Sequence, residues 1–178
     1  RREWQMERTF QTALHLLKPD VVFVLGDITD EGKWASGREW NNTMRRFQRI
    51  FRHPENVPLI SVVGNHDVGF HYHMQEHKVE RFEDALGGAS TQLVRVSGLP
   101  FVLINSMALE ADGCSVCKRA EESLLHIQSE LQASGPDPIN HVDEWAAYHP
   151  IVLLHFPLFR ENEHDCVDLD GNDDYTSV

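Results

Sequence analysis

Three short polar segments of this 178-residue chain carry side chains that could bind metal ions. They are Gly26-Asp27-Ile28-Thr29-Asp30, Gly64-Asn65-His66-Asp67 and Leu154-His155. Their carboxylate, amide and imidazole groups are all metal ligands. Two ions roughly 3.5–4 Å apart can generate a nucleophile from water and neutralise the charge of a phosphoryl group. The segments therefore predict hydrolysis of a phosphoester at a metal centre.

The residue types predict separate roles within that centre. Asp27 suits a ligand that bridges two ions, because Gly26 lets the chain turn and leaves the carboxylate projecting. Asn65 can offer a neutral amide oxygen, and His155 can offer a ring nitrogen, to one of these ions. We therefore predict Asp27, Asn65 and His155 as metal ligands.

His66 follows Asn65 directly, so its side chain need not face the same ion. A histidine near the phosphate can protonate the departing alkoxide as a general acid. Such a histidine needs a carboxylate to orient and charge it, and Asp30, one loop turn after Asp27, is the best candidate. We predict His66 and Asp30 as the catalytic pair.

Residues near these motifs are candidates for substrate binding. Glu31, Lys33 and Trp34 lie close to Asp30 in the chain and could contact a sugar or a phosphate. His71 and Tyr72 follow the second motif and could line the substrate pocket, although a solvated loop explains them equally well. For the motif residues themselves the alternatives are loop-capping carboxylates, a left-handed turn at Asn65 and structural histidines.

The elements that must position these side chains can be read from apolar periodicity. Residues 21–25, 59–63 and 151–154 are unbroken apolar runs, which are typical of buried strands. Each run ends just before one of the polar motifs. Because ligands gather at the carboxyl edges of strands in α/β folds, we expect Asp27, Asn65 and His155 to come together.

Helices are predicted between these strands. Apolar residues recur at helical spacing over residues 6–17, 40–51 and 120–131, and Val79 and Phe82 indicate a further short helix. Residues 93–96 and 101–104 read as two strands around a turn at 97–100. This alternation predicts a layered α/β fold.

The three motifs, written as Gly26-Asp27-x-x-Asp30-x-Gly32, Gly64-Asn65-His66-Asp67 and Leu154-His155-x-Pro157, resemble the middle motifs of calcineurin-like metallophosphoesterases. The resemblance implies an α/β layered β-sandwich flanked by helices, incomplete in this chain, and two divalent metal ions, with manganese as the suggested metal. It assigns residues 1–160 to the central part of the domain. Residues 161–178 are acidic, and we interpret them as a loop or the start of an insertion.

Longer segments resemble a branch of that family that remodels GPI anchors; they are residues 6–13, 30–34, 46–48, 50–53, 64–72 and 112–117. This resemblance implies a phosphodiesterase that removes an ethanolamine phosphate from the second mannose of the GPI-anchor glycan. It implies a catalytic domain in the lumen, at ER exit sites, the ER–Golgi intermediate compartment or the Golgi membrane. Membrane association would come through segments outside this chain.

The printed sequence lacks the family's opening Asp-x-His motif and its closing Gly-His-x-His motif. We therefore expect it to hold most of the second metal site and little of the first, and to bind metal weakly and hydrolyse little or nothing by itself. The rival interpretations are a phosphatase for phosphoproteins or nucleotides and a non-catalytic scaffold. Intact central motifs argue against the scaffold.

The net charge and the cysteine content limit which partners and which cysteine chemistry the chain can have. A net charge of −12 argues against a nucleic-acid partner, and no apolar run approaches the roughly 20 residues that span a bilayer. The three cysteines, Cys114, Cys117 and Cys166, leave one that is unpaired or paired outside this chain. The alternatives are a structural disulfide, which we favour, free thiols, or a metal or redox site at Cys114-x-x-Cys117. A zinc site would need a second ligand pair, and the sequence has no second Cys-x-x-Cys.

Overall fold

The computed structural model describes residues 2–110, 112–134 and 149–157 of the chain. Its helices are α1 (Arg2–Leu17), α2 (Gly37–Ile50), α3 (Asn65–Val68), α4 (Glu76–Leu86) and α5 (Ser115–Ser134). Its strands are β1 (Val22–Val24), β2 (Leu59–Ser61), β3 (Gln92–Val96), β4 (Leu99–Ile104) and β5 (Ile151–Leu154). Short 3-10 helices span Gly32–Trp34, His71–His73 and Ser106–Ala108. The predicted acidic segment 161–178 lies outside the described residues, and the division at residue 160 stays a prediction.

The strands form two sheets, as expected for a layered α/β fold. β1 and β2 pair in parallel, with Val22 opposite Leu59. In the second sheet β4 pairs antiparallel with β3 and parallel with β5. The Phe23 ring of β1 lies 4.7 Å from the Phe101 ring of β4, centroid to centroid, so the two sheets are in contact. The predicted strands and fold class are confirmed, but the expected burial is not: β1 is half-buried, and Ile151 and Val152 of β5 are 46% and 48% exposed, because β5 lies at the edge of the described sheet.

The turn between β3 and β4 is shorter than predicted. Only Ser97 and Gly98 form it, with φ of 51° and 83°. Leu99 and Pro100, which were predicted to lie in the turn, pair with β3 as part of β4. Positive φ at both turn residues gives the backbone twist that matches a two-residue hairpin, so the strands can pair right up to the turn.

Helix α2 packs through its predicted apolar stripe, and it begins at Gly37, before the predicted residue 40. Ser36 caps its first turn by accepting a hydrogen bond from the N–H of Glu39, while the Glu39 carboxylate accepts one from the N–H of Ser36. This reciprocal arrangement satisfies two N–H groups that the helix itself leaves free. The predicted apolar stripe is buried, namely Trp40, Met44, Phe47 and Ile50.

Helix α1 is confirmed, but none of its side chains is buried. It lies against α2 through an edge-to-face contact of Phe10 with Phe51, whose ring centroids are 5.1 Å apart. The Gln11 side chain donates a hydrogen bond of 2.7 Å to the Arg52 carbonyl. Glu3 pairs with Arg46 at the surface, where such pairs contribute little to stability.

The main core lies beneath the predicted site. Val62 and Val63, which follow β2, are fully buried, and so is Val68 of α3. Val63 and Val68 belong to a cluster that also contains Val79 and Phe82 of α4. The Gly64–Asp67 motif is therefore held from both sides by buried valines. Among the described residues, no helix is both long enough and apolar enough to cross a membrane.

Candidate active site

The carboxylate of Asp27 projects from a left-handed turn at the end of β1. Gly26 has φ of 90° and Asp27 has φ of 52°. Residues other than glycine rarely adopt such φ values, but aspartate and asparagine do so more often than most. Asp27 Oδ1 accepts a hydrogen bond of 2.9 Å from the N–H of His66. Thus the loop after β1 is joined to the motif after β2.

The three predicted metal ligands converge at the carboxyl ends of β1, β2 and β5. His155 Nε2 lies 3.1 Å from Asn65 Oδ1 and 3.4 Å from Asp27 Oδ1. His155 Nδ1 lies 2.7 Å from the carbonyl oxygen of Leu25. A proton on Nδ1 can donate to this carbonyl, which leaves the lone pair of Nε2 directed towards the other two ligands.

Two glycines make this convergence sterically possible. A Cβ atom at Gly26 would lie 2.5 Å from His155 Nδ1, and one at Gly64 would collide with the main-chain nitrogen and Oδ1 of Asp27. Any larger residue would therefore force the ligands apart. The glycines of both motifs allow the backbone to approach the ligand side chains closely.

His66 and Asp30 are brought together, but mainly through the backbone of Asp30. His66 Nδ1 lies 2.6 Å from the Asp30 carbonyl oxygen. The Asp30 carboxylate is 3.7 Å away and its side chain is 99% exposed. The expectation that the carboxylate orients His66 therefore needs correction, because the main-chain carbonyl makes the hydrogen bond. The catalytic roles of both residues stay predictions.

Asp67, to which the sequence analysis gave no role, ties the two loops together. Its fully buried carboxylate accepts hydrogen bonds from the N–H groups of Gly64, Thr29 and Ile28, and from the Thr29 hydroxyl. Burial raises the pKa of Asp67, while these donors act in the opposite direction. The Gly64-x-x-Asp67 spacing, typical of a helix cap, could have revealed the hydrogen bond from Gly64 but not those from Thr29 and Ile28.

Comparison with known proteins places this site in a family. The sequence profile of calcineurin-like phosphoesterases matches residues 3–175. The chain belongs to this family. It is 47% identical over 173 residues to Metallophosphoesterase 1 of Gallus gallus, covering 93% of this chain and 43% of that protein. Metallophosphoesterase 1 of Ailuropoda melanoleuca is 49% identical over 173 residues, covering 93% of this chain and 43% of that protein.

A relative with lower sequence identity matches nearly the same length of this chain. Metallophosphoesterase 1 of Danio rerio is 43% identical over 175 residues, covering 96% of this chain and 46% of that protein. The chain thus spans less than half the length of each of these relatives. No solved structure matches the chain.

Calcineurin-like phosphoesterases are phosphoester hydrolases that use divalent metals, and the described residues fit such an ion. Two oxygens, Asn65 Oδ1 and Asp27 Oδ1, lie 3.1 Å and 3.4 Å from His155 Nε2. Distances of this size suit ligands that share one ion at 2.0–2.2 Å. The two oxygens suit Mn²⁺ or Mg²⁺, and the imidazole nitrogen suits borderline ions such as Zn²⁺. We refer to these three residues as the phosphoesterase centre.

The residues predicted to bind substrate near Asp30 lie on another side of this loop. Glu31 and Trp34 line, together with Asp30, a cavity of about 560 Å³ between α1 and α2. Lys33 is half-buried and does not line it. None of the three phosphoesterase-centre residues borders this cavity, so it supports only a peripheral role for Glu31 and Trp34.

An aromatic surface lies beside His155 and includes the predicted Tyr72. Phe70 and Tyr72 stack with their ring planes 13° apart, and Phe156 meets Phe70 edge-on at 5.5 Å. These three residues, the aromatic surface, border a cavity of about 570 Å³. Sequence reasoning missed Phe156, although it follows His155 directly and is 43% exposed.

His71 borders the same cavity but makes its polar contacts elsewhere. Its Nε2 lies 2.8 Å from Asp112 Oδ2, and its Nδ1 lies 3.2 Å from the Met107 carbonyl oxygen. The hydrogen bond to Asp112 raises the pKa of His71. The pKa of Asp112 is lowered mainly by the hydrogen bond from the N–H of Cys114, and also by the hydrogen bond with His71.

Cys114 and Cys117 form a disulfide beside this pair, which confirms the favoured interpretation of the Cys-x-x-Cys motif. Cys117 Sγ lies 3.8 Å from His71 Nδ1. We call His71, Asp112, Cys114 and Cys117 the cysteine corner. Cys166 lies outside the described residues.

Proposed function

We propose that this phosphoesterase is a metal-dependent phosphodiesterase that removes an ethanolamine-phosphate side branch from the GPI-anchor glycan. This step would belong to the maturation of GPI-anchored proteins and their transport from the ER to the Golgi. One observation supports hydrolysis at a metal: the side-chain oxygens of Asp27 and Asn65 both lie within 3.4 Å of His155 Nε2. The GPI substrate is supported by the motif-level resemblance to the GPI-remodelling branch.

The chain's own residues supply binding and proton transfer. We propose that two divalent ions bind, and that the metal is manganese. Such ions would neutralise the phosphoryl oxygens and provide a nucleophile at neutral pH. His155 is oriented for ligation by the Leu25 carbonyl, and Asp27 by the N–H of His66. Both hydrogen bonds act on ligands before any ion arrives, which reduces the reorganisation that binding requires.

His66 is placed to protonate the leaving group. If Nδ1–H donates to the Asp30 carbonyl, Nε2 is the nitrogen that can carry the proton for the departing alkoxide. The His66 side chain is 40% exposed, so a substrate can reach it. The Asp30 carboxylate, at 3.7 Å, would attract the positive charge of the protonated ring.

The aromatic surface supports a glycan as the group that carries the phosphate. Tyr72 is 75% exposed and Phe156 is 43% exposed, next to the ligand His155. Exposed aromatic faces can pack against the C–H faces of sugar rings while the hydroxyl groups stay in water. A mannose ring on this surface would hold its ethanolamine phosphate near the phosphoesterase centre.

The proposed location is the lumen of the early secretory pathway, at ER exit sites, the intermediate compartment or the Golgi membrane. The Cys114–Cys117 disulfide supports this location, because disulfides persist in oxidising compartments. Membrane association would come from segments outside this chain. The net charge of −12 gives no support to a nucleic-acid partner.

The test uses a chimera in which this chain replaces the aligned segment of Gallus gallus Metallophosphoesterase 1. The chimera is incubated with Mn²⁺ and a GPI glycan that carries ethanolamine phosphate on its second mannose. Mass spectrometry should show loss of one ethanolamine phosphate. Asp27→Asn should abolish the loss, while Asp84→Asn, at an exposed aspartate of α4, should not.

Parallel incubations with a phosphopeptide and a nucleotide separate the rival functions. Hydrolysis of either one without loss of ethanolamine phosphate would replace the proposed substrate. A folded chimera that binds Mn²⁺ but hydrolyses none of the three would support a scaffold instead. Direct Mn²⁺ titration of the 178-residue chain, followed by electron paramagnetic resonance, checks the metal site even if the chimera fails to fold.

A further inference from the structure

The cysteine corner brings together four side chains of the kinds that bind zinc. One ligand atom each from His71, Asp112, Cys114 and Cys117 lies within 4.8 Å of all the others. Thiolate sulfur, imidazole nitrogen and carboxylate oxygen all bind zinc, and four such ligands complete its tetrahedral coordination. The sequence argued against zinc because it lacks a second Cys-x-x-Cys. The fold provides the second ligand pair from two other segments, the 3-10 helix His71–His73 and the loop before α5.

We propose that the cysteine corner is a redox-controlled zinc site, closed as a disulfide when oxidised and able to bind one Zn²⁺ through His71, Asp112, Cys114 and Cys117 when reduced. This site is separate from the phosphoesterase centre and shares no ligand with it. Its donors include sulfur, whereas those of the phosphoesterase centre are oxygen and nitrogen only.

The redox step needs a dithiol reductant. The two thiols of the reductant lose two electrons and two protons and form a disulfide. The Cys114–Cys117 bond takes up these electrons and breaks, and the protons complete two thiol groups. When Zn²⁺ binds, both thiols release their protons to solvent, because thiolates are the zinc ligands.

The local structure stabilises the reduced, deprotonated form. The N–H of Cys117 donates to Cys114 Sγ at 3.0 Å, and Cys114 directly precedes α5. A helix N-terminus and a neighbouring histidine both favour a thiolate. These features would offset the negative charge of two thiolates and one carboxylate.

The distances require only small movements. In a tetrahedral zinc site the ligand atoms lie about 3.3–3.8 Å apart. Asp112 Oδ2 lies 2.8 Å from His71 Nε2, and one ligand atom of each of the four residues lies within 4.8 Å of the others. After reduction, the two sulfurs must separate from bonding distance. The Met107 carbonyl, 3.2 Å from Nδ1, can keep the proton on that nitrogen and leave Nε2 as the ligand.

The corner also offers a path for an ion. Cys117 is fully buried, Cys114 and His71 are half-buried, and Asp112 is exposed. An ion can therefore enter from the side of Asp112 and end beside the buried sulfur. Zinc binding would fix the 3-10 helix His71–His73, which carries Tyr72 of the aromatic surface.

The experiment titrates the 178-residue chain with Co²⁺ after reduction by a phosphine, with the oxidised chain in parallel. Thiolate ligands give a sulfur-to-cobalt charge-transfer band, which oxygen and nitrogen ligands do not give. We expect one thiolate-bound Co²⁺ per reduced chain, displacement by Zn²⁺, and no such band in the oxidised chain. The phosphoesterase centre cannot produce this band, so the result is independent of the proposed function.

Variants identify the ligands. Cys114→Ser and Cys117→Ser should remove the band, and His71→Gln and Asp112→Asn should weaken Co²⁺ binding by at least about tenfold. His73→Gln in the same 3-10 helix and Cys166→Ser are the matched controls and should retain the band. Absence of the band in the reduced chain, or its survival without Cys114 and Cys117, would overturn the proposal. Because reoxidation of the unmodified chain needs no substitution, the comparison holds even if a variant fails to fold.

Discussion

The phosphoesterase centre and the cysteine corner are two clusters of metal-binding side chains that differ in what holds them in place. In the phosphoesterase centre, hydrogen bonds to backbone groups hold Asp27 and His155, Asn65 contacts His155, and Gly26 and Gly64 allow the close approach. In the cysteine corner, a covalent bond between two of the donors holds the cluster closed.

The two clusters are therefore preorganised by different physical means: folding alone holds the first, whereas folding and redox state together control the second. The hydrogen bonds and steric contacts of the phosphoesterase centre involve no sulfur, so we expect its oxygen and nitrogen donors to stay available to an ion in either redox state. The sulfurs of the cysteine corner become ligands only after two electrons are added. The same chain thus contains one site that depends on folding and one that depends on folding and redox state.

Removing the Asp27 carboxylate should have the largest effect, and it should act on the phosphoesterase centre alone. In the Gallus gallus chimera, Asp27→Asn should lower kcat/KM by about a thousandfold, because charge stabilisation at the phosphoryl group is lost. In the 178-residue chain it should weaken Mn²⁺ binding by at least about a hundredfold. Titration followed by electron paramagnetic resonance measures the affinity. Unchanged Mn²⁺ affinity would remove Asp27 from the centre.

The next largest effect should come from Asp67, which tests whether the phosphoesterase centre is held without metal. Asp67→Ala would leave the N–H groups of Gly64 and Thr29 and the Thr29 hydroxyl without their buried acceptor. We expect the free energy of unfolding to fall by about 3 kcal/mol, measured by urea titration in the presence of a chelator. Asp67→Asn, which keeps one acceptor oxygen, should cost less. A loss no greater than that of Asp84→Ala would show that Asp67 does not join the loops.

Reduction of the disulfide should affect the cysteine corner and leave the phosphoesterase centre intact. Opening a loop this short should lower the free energy of unfolding by about 2 kcal/mol. Saturating Zn²⁺ should restore about as much stability, since a ligand at a hundred times its Kd adds about 2.7 kcal/mol. Urea unfolding of the oxidised, reduced and zinc-loaded chain measures both effects. Stabilisation by Mn²⁺ should be the same in both redox states, and a difference would show that the two sites are coupled.

A pair of glycine substitutions should give the smallest and most selective effect. Gly87 has φ of 75° with open space around its position, whereas Gly26 has φ of 90° with His155 in the way. Both changes to alanine incur backbone strain, of about 1 kcal/mol in Gly87→Ala. Gly26→Ala should lose about 1 kcal/mol more and also weaken Mn²⁺ binding. Equal losses and equal affinities in the two variants would mean that the close approach to His155 is unimportant.

Much of the site was predictable because its residues follow strands directly. Asp27, Asn65 and His155 each come after an apolar run, and the edge of a sheet brings such positions together. The helix stripe of α2 was predictable for a similar reason, since its spacing matches one turn of helix. In both cases a local pattern is sufficient, because the secondary structure itself places the side chains.

Contacts between distant segments could not be predicted in this way. The motif contained Asp67, but nothing local showed that Thr29 and Ile28 would donate to it. Asp30 was predicted to act through its carboxylate, whereas its main-chain carbonyl makes the hydrogen bond to His66. Which atom of a loop residue points inwards depends on the path of the loop, and residue type does not determine that path.

By itself, the sequence determined the family motifs, the order of strands and helices, and the three donors at the strand ends. Tertiary structure decided that Asp67 joins the two loops, that Phe156 completes the aromatic surface, and that His71 and Asp112 reach the Cys-x-x-Cys pair. The physical reason is the range of the interactions. Periodicity and strand-end position are set within a few residues, whereas the cysteine corner depends on packing that brings His71 and Cys117 within 3.8 Å across a long stretch of chain.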